Sequence, residues 1–371
     1  MIKIGIVGKP NAGKSTLFSA ITQIDVDIAD YPFTTIKPNV GISYIKSKCP
    51  HTEINVQCNP REGKCIDGTR YIPIEIIDVP GLIEGASEGK GMGNQFLDNI
   101  RDSDIIINLF DASSDYKNDI SMVRNEIIKW ISSKIYDNWQ KFSRKEDASG
   151  DRLALKLLKK LATFGINEKQ VEYLITKVNM PQQLSVWTED DVIELSNAIL
   201  KYIKPVFDVG NKADLLNESN IKKLEYPVIS AGYELALARA YRNGYIDKYS
   251  RDFKISDRCN GQQRAVLNSI HEFYEKNTMF DDVISGIVNS LGYIIVYPVY
   301  DETKWTDKNG NVLPDAFIMR DGDTALDLAF KVHSEIGENF IKAINGRTHR
   351  IIGKDYKLIN NDVVKIVSGS R

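Results

Sequence analysis

The chain has 371 residues, with 48 Lys and Arg against 50 Asp and Glu, and 42% of its residues are hydrophobic. This composition excludes a disordered or collagen-like chain, and a net charge of −2 gives no overall reason to expect nucleic acid as a partner. No apolar run reaches the ~18–20 residues of a membrane span, the first residues lack the apolar core of a signal peptide, and four cysteines are too few for a disulfide scaffold. We therefore expect a cytoplasmic protein of about two or three domains that does not enter a membrane.

The N-terminal segment combines a short apolar run with a glycine-rich loop. Residues 2–7, IKIGIV, predict a buried parallel strand, and GKPNAGKS at 8–15 fits the pattern G-x-x-x-x-G-K-[ST] without a mismatch. Lys14 offers a positive charge to the β- and γ-phosphates, Ser15 offers a hydroxyl to Mg²⁺, and a helix from Thr16 would direct its N-terminus at the same anion. The residues expected to bind the nucleotide here are Gly8, Lys9, Pro10, Asn11, Ala12, Gly13, Lys14, Ser15 and Thr16.

Four later apolar segments predict further strands of a mainly parallel α/β sheet, at 73–81, 105–113, 204–214 and 226–230. Asp78, at the end of the second strand, can hold Mg²⁺ through water, and Gly81 leaves the following peptide N–H free to meet the γ-phosphate. Both residues would lie at the same edge of the sheet as the glycine-rich loop.

The sequence Asn211-Lys212-Ala213-Asp214 follows the fourth strand and predicts a guanine site. The Asp214 carboxylate can accept hydrogen bonds from the N1–H and the 2-amino group of guanine. Adenine lacks this pair of donors, and leaving the carboxylate unpaired would cost about 1–3 kcal/mol. Asn211, Lys212 and Asp214 are therefore expected to bind the base, with support from Ser230, Ala231 and Gly232 after the fifth strand.

A cysteine-rich segment at 48–68 predicts a possible zinc site. It contains Cys49, His51, Cys58 and Cys65, so three of the four cysteines fall within a short stretch. Tetrahedral zinc takes four Cys or His ligands, although this spacing is not the common C-x₂-C pair. The alternative is a hairpin with reduced thiols that bind no metal.

Two helical regions extend the core. Apolar residues at helical spacing between the third and fourth strands predict a helical insertion, and Thr188 followed by Asp190 and Asp191 predicts the start of its last helix. A second helical stretch has a predicted break near Asn277. These patterns divide the chain into a core at 1–113 and 201–243, a helical insertion at 114–200, a helical connecting segment at 244–292 and a C-terminal α+β unit at 293–371.

In the C-terminal unit we expect strands at 292–300, 316–319 and 363–367, and a helix that begins with a capping box at Asp323–Asp327 and ends near Ile344. A basic run and the excess of 13 Lys and Arg over 9 Asp and Glu in residues 115–181 are compatible with RNA contact, or with ordinary solvated surfaces. The basic run contains Arg347, His349, Arg350, Lys354 and Lys357.

The motifs GKPNAGKS, DVPG, NKAD and Ser230-Ala231, in this order, resemble those of a translation-factor-class GTPase. The segments IADYPFTTIKPNVG at 28–41 and DVPGLIEGASEGKGMGNQFL at 78–97 narrow the resemblance to the Obg-related group. GNVLPDAFIMRDGDTALDLAFKVHSEIGENFIKAI resembles the TGS domain, a β-grasp-like module, and narrows it further to YchF-like GTPases of archaeal type.

The resemblance implies a Mg²⁺-dependent P-loop GTPase that acts as a nucleotide-dependent switch around the ribosome, with RNA contact through the TGS domain; contact through the helical insertion is suggested only by its excess of basic residues. It assigns catalytic roles to Lys14, Thr35 and Gly81. Ser15, Thr35 and Asp78 would hold Mg²⁺, and Thr34 is the neighbouring candidate for the threonine. The glycine-rich stretch 81–93 would be ordered with GTP and mobile with GDP.

Leu82 stands where compact GTPases often carry a glutamine that orients water, so the intrinsic rate is expected to be low. In loops similar to this one, the residue matching Asn11 helps hold K⁺, which would offset charge in the transition state; the alternative is that Asn11 only stabilises the loop conformation. Three other functions remain open: a YchF-like ATPase, an RNA-binding or scaffold protein with incidental hydrolysis, and, less favoured because nothing in the sequence suggests a second substrate, a metabolic kinase.

Overall fold

The computed structural model describes residues 1–24, 39–79, 81 and 100–369. No helix in these ranges is long and apolar enough to cross a membrane. The predicted switch residues Thr34 and Thr35, the position of Leu82, and all of the glycine-rich stretch except Gly81 lie outside the described residues.

A six-stranded sheet forms the N-terminal core. Its strand order is β2-β4-β1-β5-β6, and β3 pairs with β4. The strands β1, β4, β5 and β6 run parallel, while β2 and β3 run antiparallel to β4. The bounds are β1 Lys3–Val7, β2 Val40–Lys48, β3 Lys64–Ile66, β4 Thr69–Asp78, β5 Ile105–Asp111 and β6 Val206–Asn211.

The expected fifth parallel strand at 226–230 is wrong: this segment makes a single bridge, between Gly210 and Val228. Pro227 has no N–H to donate, so the segment cannot continue a regular ladder. It still lies along β6, because Gly210 N–H donates to the Pro227 carbonyl and Ile229 N–H donates to the Gly210 carbonyl. Ser230 therefore follows a segment that is hydrogen-bonded to the end of β6.

Helices fill the chain between β5 and β6 and pack around one large apolar cluster that includes Trp130, Trp139 and Trp187. The Thr188 side chain and Asp191 form a capping box at the last of these helices, at the predicted start. The bounds are α3 Tyr116–Tyr136, α4 Trp139–Ala148, α5 Leu153–Leu161, α6 Glu168–Lys177 and α7 Glu189–Tyr202.

Other helices lie around the core, and two helices connect it to the C-terminal unit. The expected helical stretch at 244–292 is wrong over its first part, because these two helices begin only at Gly261. The break between these two falls at 277–279, where Asn277 ends the first helix. The bounds are α1 Lys14–Ile24, α2 His51–Ile54, α8 Glu218–Ile221, α9 Ala231–Arg242, α10 Gly261–Lys276 and α11 Phe280–Ser290.

The C-terminal unit is a five-stranded sheet with the order β10-β9-β11-β7-β8 and two short helices. The predicted capping box is confirmed at Thr324 and Asp327. The bounds are β7 Tyr293–Val299, β8 Phe317–Arg320, α12 Ala325–Val332, α13 Ser334–Glu338, β9 Phe340–Asn345, β10 Ile351–Ile352 and β11 Val363–Ser368.

The expectation of one helix as far as Ile344 is wrong, because the helical part ends at Glu338 and residues 340–345 form β9. β9 pairs antiparallel with both β11 and β10. These long-range ladders outweigh the helical pattern of the local sequence, which is a common way for tertiary pairing to override propensity.

The two sheets share a buried core. One apolar cluster contains Ile4 and Ile74 of the first sheet together with Phe280 of α11, Tyr297 of β7 and Trp305. The C-terminal unit therefore packs on the β2–β4 side of the first sheet rather than hanging from a linker.

Candidate nucleotide site and a Cys/His cluster

The glycine-rich loop follows β1 and leads directly into α1. Gly8 and Gly13 both have positive φ, of 149° and 94°. A Cβ at Gly8 would lie 2.2 Å from the Leu109 carbonyl oxygen, and one at Gly13 would lie 2.1 Å from the Asn211 side-chain nitrogen. Only glycine fits these positions, so the spacing of the motif follows from how closely the loop approaches its neighbours.

Lys14 is buried at the start of α1, and its ammonium group points back into the loop. Nζ donates to the Gly8 carbonyl at 3.0 Å and to the Lys9 carbonyl at 2.8 Å. Burial lowers the pKa of the Lys14 ammonium, and the nearby Asp78 carboxylate opposes this shift. A Cβ at Gly81 would lie 3.4 Å from Lys14 Nζ. Gly81, which is expected to lie near the γ-phosphate, is therefore close to the Lys14 ammonium group.

The two described side chains predicted to surround Mg²⁺ meet at this edge of the sheet. Ser15 Oγ, which is exposed, lies 3.4 Å from Asp78 Oδ2. Burial raises the pKa of Asp78, while Lys14 and the Ser15 hydroxyl oppose the shift. A hydroxyl and a carboxylate, both hard oxygen donors, thus face one another beside Lys14, which is the donor set that Mg²⁺ prefers.

Asn211 links the phosphate loop to the predicted base-binding segments. Its Nδ2 donates to the Ala12 carbonyl at 2.7 Å, and its Oδ1 accepts from the Ala231 N–H at 2.8 Å. Because Asn211 is buried and uses both ends of its amide, three segments that are far apart in sequence are held in one arrangement.

Asp214 and Ser230 also come together. Ser230 Oγ donates to Asp214 Oδ1 at 2.5 Å and caps α9 by accepting from the Tyr233 N–H. Asp214 itself is half-buried. Gly232 lies in the first turn of α9, where an added Cβ would meet only Ser230 Oγ at 3.9 Å, so close packing does not require a glycine there.

The sequence reasoning missed the partner of Lys212. This residue has a left-handed φ of 64°, and its Nζ pairs with Asp111 Oδ2 at 2.6 Å. Although partial burial opposes it, hydrogen bonds from Lys212 and Ser113 lower the pKa of Asp111. A signal was available, since Asp111 lies near the end of the strand expected at 105–113 and is the last residue of the observed β5, as Asp78 is of β4.

The structure brings the four predicted zinc ligands together at the opposite end of the β2–β4 hairpin. One ligand atom from each of Cys49, His51, Cys58 and Cys65 lies within 4.8 Å of the other three. The Cys49 and Cys58 sulfurs are 3.7 Å apart, and Cys65 Sγ is 3.4 Å from His51 Nδ1. A zinc tetrahedron has S–S edges of about 3.8 Å and S–N edges of about 3.5 Å, so these two spacings fit its dimensions.

Arg70 lies beside this cluster and is 1% exposed. Its guanidinium is 3.7 Å from Cys58 Sγ and donates to the carbonyls of Leu313 and Pro314. The pKa of the Cys58 thiol is lowered, first by its hydrogen bond with Cys49 and also by the charge of Arg70, although burial opposes the shift.

A strand, a glycine-rich loop with a buried lysine, a helix, and an asparagine that bridges the loop to the backbone after Ser230 define a P-loop nucleotide-binding protein of the GTPase class. Comparison with known families agrees. Residues 3–139 match the family described as 50S ribosome-binding GTPase, residues 209–301 match the G4 motif-containing domain of Obg-like GTPase YGR210-like, and residues 309–368 match the TGS domain.

The chain belongs to the YchF-like family of Obg-related GTP-binding proteins. It is 44% identical to an uncharacterised GTP-binding protein of Methanocaldococcus jannaschii over the full length of both chains. It is 37% identical to the ribosome-binding ATPase YchF of Buchnera aphidicola from Schizaphis graminum, covering 92% of this chain and 87% of that protein. The solved structure of a GTP-binding protein from Pyrococcus horikoshii is similar over 99% of this chain and all of that one, with 32% identity and a TM-score of 0.80.

Proposed function

We propose that this protein binds GTP with Mg²⁺ and hydrolyses it to GDP and phosphate as a nucleotide-dependent switch. The observation that carries the proposal is the Asn211 bridge, which ties the phosphate loop at Ala12 to Ala231 beside the Asp214 carboxylate. Asn211 would then fix the segment that binds guanine through Asp214 relative to the loop that binds the phosphates.

The residues of the site divide by role. Residues 8–16 would hold the phosphates through backbone N–H groups, with Lys14 as the charged contact. Asn211, Lys212, Asp214, Ser230, Ala231 and Gly232 would form the base site. Asp111 is added to the predicted set as a positioning residue, because its ion pair with Lys212 would hold the lysine stem against a bound base.

The donors beside Lys14 fit Mg²⁺, with Ser15 as a direct ligand, Asp78 acting through water, and Thr35 as the third contributor outside the described residues. When bound, Mg²⁺ would offset negative charge on the β- and γ-phosphates. Lys14 would add its positive charge at the γ-phosphate, and the N–H after Gly81 would orient that group.

No glutamine follows Gly81, so we propose that backbone groups and a monovalent cation take over the orientation of water. Asn11 is exposed, has a φ of 65° and makes no side-chain hydrogen bond to a described residue. Its oxygen would bind K⁺ beside the phosphates, where the ion would act much as an arginine finger does.

The base assignment is tested by the variant Asp214→Asn with two nucleotides. Guanine offers a 2-amino donor to the carboxylate, whereas xanthine has a carbonyl there that an asparagine amide can donate to. We expect Asp214→Asn to lose GDP affinity by about ten- to a hundredfold and to gain xanthosine diphosphate affinity, as measured by isothermal titration.

The matched control is Asp119→Asn, since the Asp119 carboxylate pairs with Lys9 of the phosphate loop. This variant should keep the preference for GDP over xanthosine diphosphate. Unchanged GDP affinity in Asp214→Asn would remove the base assignment and favour the second candidate, a YchF-like ATPase, which is the activity in the name of the Buchnera relative.

We further propose that the switch acts on the ribosome, in the cytoplasm, because the Buchnera relative is named for ribosome binding. The C-terminal basic run is only partly free to meet RNA. Arg347 already pairs with Glu53, and Lys357 donates to the Gly322 carbonyl, whereas His349, Arg350 and Lys354 are exposed. In the insertion, the Arg152, Lys156 and Lys159 side chains pair with nearby acids, which weakens the case for RNA there.

Co-sedimentation with ribosomes tests this partner. Binding should be stronger with a non-hydrolysable GTP analogue than with GDP and should weaken in Arg350→Glu and Lys354→Glu, while Lys331→Glu in α12 serves as an exposed control. If ribosome binding is the same with either nucleotide and in the variant Lys14→Ala, the result would favour an RNA-binding or scaffold protein whose hydrolysis is incidental.

We also propose that Cys49, His51, Cys58 and Cys65 bind one structural Zn²⁺. Their closed geometry and burial support a four-coordinate site without an open position, which is the pattern of structural rather than catalytic zinc. The domain division we propose remains a nucleotide domain at 1–113 and 201–243, an insertion at 114–200, a connecting segment at 244–292 and a TGS domain at 293–371.

A further inference from the structure

The Cys/His cluster lies far from the nucleotide site on the same hairpin. Lys48, the last residue of β2, pairs with Thr69 at the start of β4, and Cys49 follows Lys48 directly. Asp78 is the last residue of β4, at the other end of this hairpin. Nine residue steps of about 3.3 Å separate Thr69 from Asp78, so the cluster is about 30 Å from the predicted Mg²⁺ position. A metal at the cluster therefore acts on something other than the phosphates.

The loop that carries the cluster faces the TGS domain. Directly after Cys58, Asn59 N–H donates to the Val312 carbonyl at 2.8 Å, and its Oδ1 accepts from the Val312 N–H at 3.1 Å. Arg61 N–H then donates to the Pro314 carbonyl at 3.0 Å. These bonds join the segment 59–61 to the segment 312–314 much as a short pair of strands would be joined.

Arg70 forms a second link between the cluster and the same segment. It donates to the carbonyls of Leu313 at 3.1 Å and Pro314 at 2.9 Å while lying against Cys58 Sγ. It makes no ion pair with a carboxylate among the described residues, although a buried charge normally needs a counter-charge. Zn²⁺ bound by three thiolates and a neutral imidazole carries a net charge of −1, which Arg70 would balance.

The helix that contains His51 also contacts the TGS domain. His51 begins α2, and Glu53 in the same helix pairs with both Nε and Nη2 of Arg347, at 2.7 and 2.8 Å. Arg347 in turn donates to the Asn361 carbonyl at 2.6 Å, next to β11. Contacts from either end of the cysteine-rich loop thus reach the TGS domain.

We propose that Zn²⁺ at this cluster fastens the TGS domain to the nucleotide domain, by holding residues 49–68 in the shape that binds 312–314. The proposal deepens the zinc assignment made above and rests on it, but it does not depend on GTP hydrolysis. Without the metal, Cys58 is held to the other ligands only by weak thiol hydrogen bonds. The backbone of Asn59 and Arg61 should then loosen against residues 312–314, while the Arg61 side chain keeps its ion pairs with Asp307 and Asp315.

Hydrogen exchange on the full-length protein tests the proposal, with three samples: purified without chelator, stripped of metal, and stripped then supplied with Zn²⁺. Stripping should reduce protection of the Asn59, Arg61 and Val312 amides by at least about tenfold, and Zn²⁺ should restore it. Amides within β1 and β5 should not change.

Two variants provide the matched comparison. Cys58→Ser should bind no zinc and should exchange like the stripped protein, whereas Cys259→Ser, which alters the one cysteine outside the cluster, should keep one zinc per chain and normal protection. If Cys58→Ser does not fold, the stripped and resupplied wild-type samples decide the question.

Each remaining outcome counts against a particular step. A zinc content near zero, with four titratable thiols, overturns the metal site and the fastening role together. If the protein binds one zinc per chain but its amide exchange is the same with and without the metal, only the fastening role is overturned. GTP hydrolysis measured on the same samples separates these failures from a failure of the nucleotide assignment, since absent hydrolysis with zinc-dependent exchange would count against the GTPase proposal only.

Discussion

The two ends of the β2–β4 hairpin carry sites of opposite character. At the Asp78 end, polar groups gather at the ends of β1, β4 and β6, and Ser15 and Asn11 remain exposed. At the Thr69 end, Cys49, His51 and Cys58 are buried and face one another. The first arrangement leaves donor atoms accessible to a ligand that binds and dissociates. In the second arrangement, the potential ligand atoms are buried and contact one another. Openness, rather than residue type alone, separates a site for turnover from a site for structure.

The largest effect should come from the open site, in the variant Lys14→Ala. Lys14 supplies a buried positive charge at the point where Gly81 approaches the loop. Removing such a contact to developing charge typically costs about 10²–10³-fold in rate, so single-turnover GTP hydrolysis should fall by that factor. Lys3→Ala on β1 is the control and should hydrolyse GTP normally; an equal loss in both variants would contradict the assigned role of Lys14.

A second prediction concerns Glu234, which lies in the first turn of α9, just after Ser230, and contacts α11 of the connecting segment. It is fully buried, with Oε1 accepting from the Phe280 N–H at 2.8 Å and Oε2 accepting from the Tyr249 hydroxyl. Burial and then the charge of Asp281 raise its pKa to about 7, although hydrogen bonds oppose the shift.

Because the folded protein holds this proton more tightly than the unfolded chain does, its stability should fall as the pH rises from about 4.5 to about 7. At pH 8, Glu234→Gln should raise the free energy of unfolding by up to about 3 kcal/mol, as measured by urea denaturation. Glu225→Gln, at an exposed position, should leave it unchanged. A wild-type stability that rises over this pH range would contradict the assignment.

The third effect is that of the monovalent cation at the open site. If Asn11 binds K⁺, GTP hydrolysis should be about tenfold faster in potassium than in sodium, and Asn11→Ala should abolish that ratio. The measurement is the single-turnover rate in matched ionic strength. Equal rates in both salts for the unaltered protein would leave Asn11 only its conformational role, at a φ of 65°.

The smallest effect is predicted across the hairpin. Stripping metal from the Cys/His cluster should change GDP affinity by no more than about twofold, because the two sites are about 30 Å apart. Titration of GDP into stripped and zinc-supplied protein would measure this. A tenfold change would instead mean that the hairpin transmits the state of the cluster to Asp78, and the contrast between the two ends would have to be abandoned.

The residues of the open site can be proposed from the sequence because their chemistry is local. The glycines at 8 and 13, the lysine between loop and helix, and the carboxylate at a strand end each follow from a few neighbouring residues. The cysteine-rich loop was also recognised, since the four ligands are close in the chain. Asp111 was missed because its partner Lys212 lies about 100 positions away, directly after β6.

What the sequence could not supply depends on pairing across the chain. The residues of β9 look helical until β10 and β11 come to lie beside them. Likewise, nothing local indicates that Arg70 is among the largest fully buried side chains, because its partners Leu313 and Pro314 lie more than 240 positions away. The role of the cysteine-rich loop as a contact to the TGS domain appears only when both sheets are assembled.

The most direct test of the central claim is single-turnover hydrolysis of GTP and of ATP by the full-length protein, with Mg²⁺ in potassium buffer. With Asp214 held by Ser230 beside the loop, GTP should be cleaved at least about tenfold faster than ATP at subsaturating nucleotide. ATP cleaved as fast as GTP, or faster, would contradict the guanine site and make the protein an ATPase of the same family.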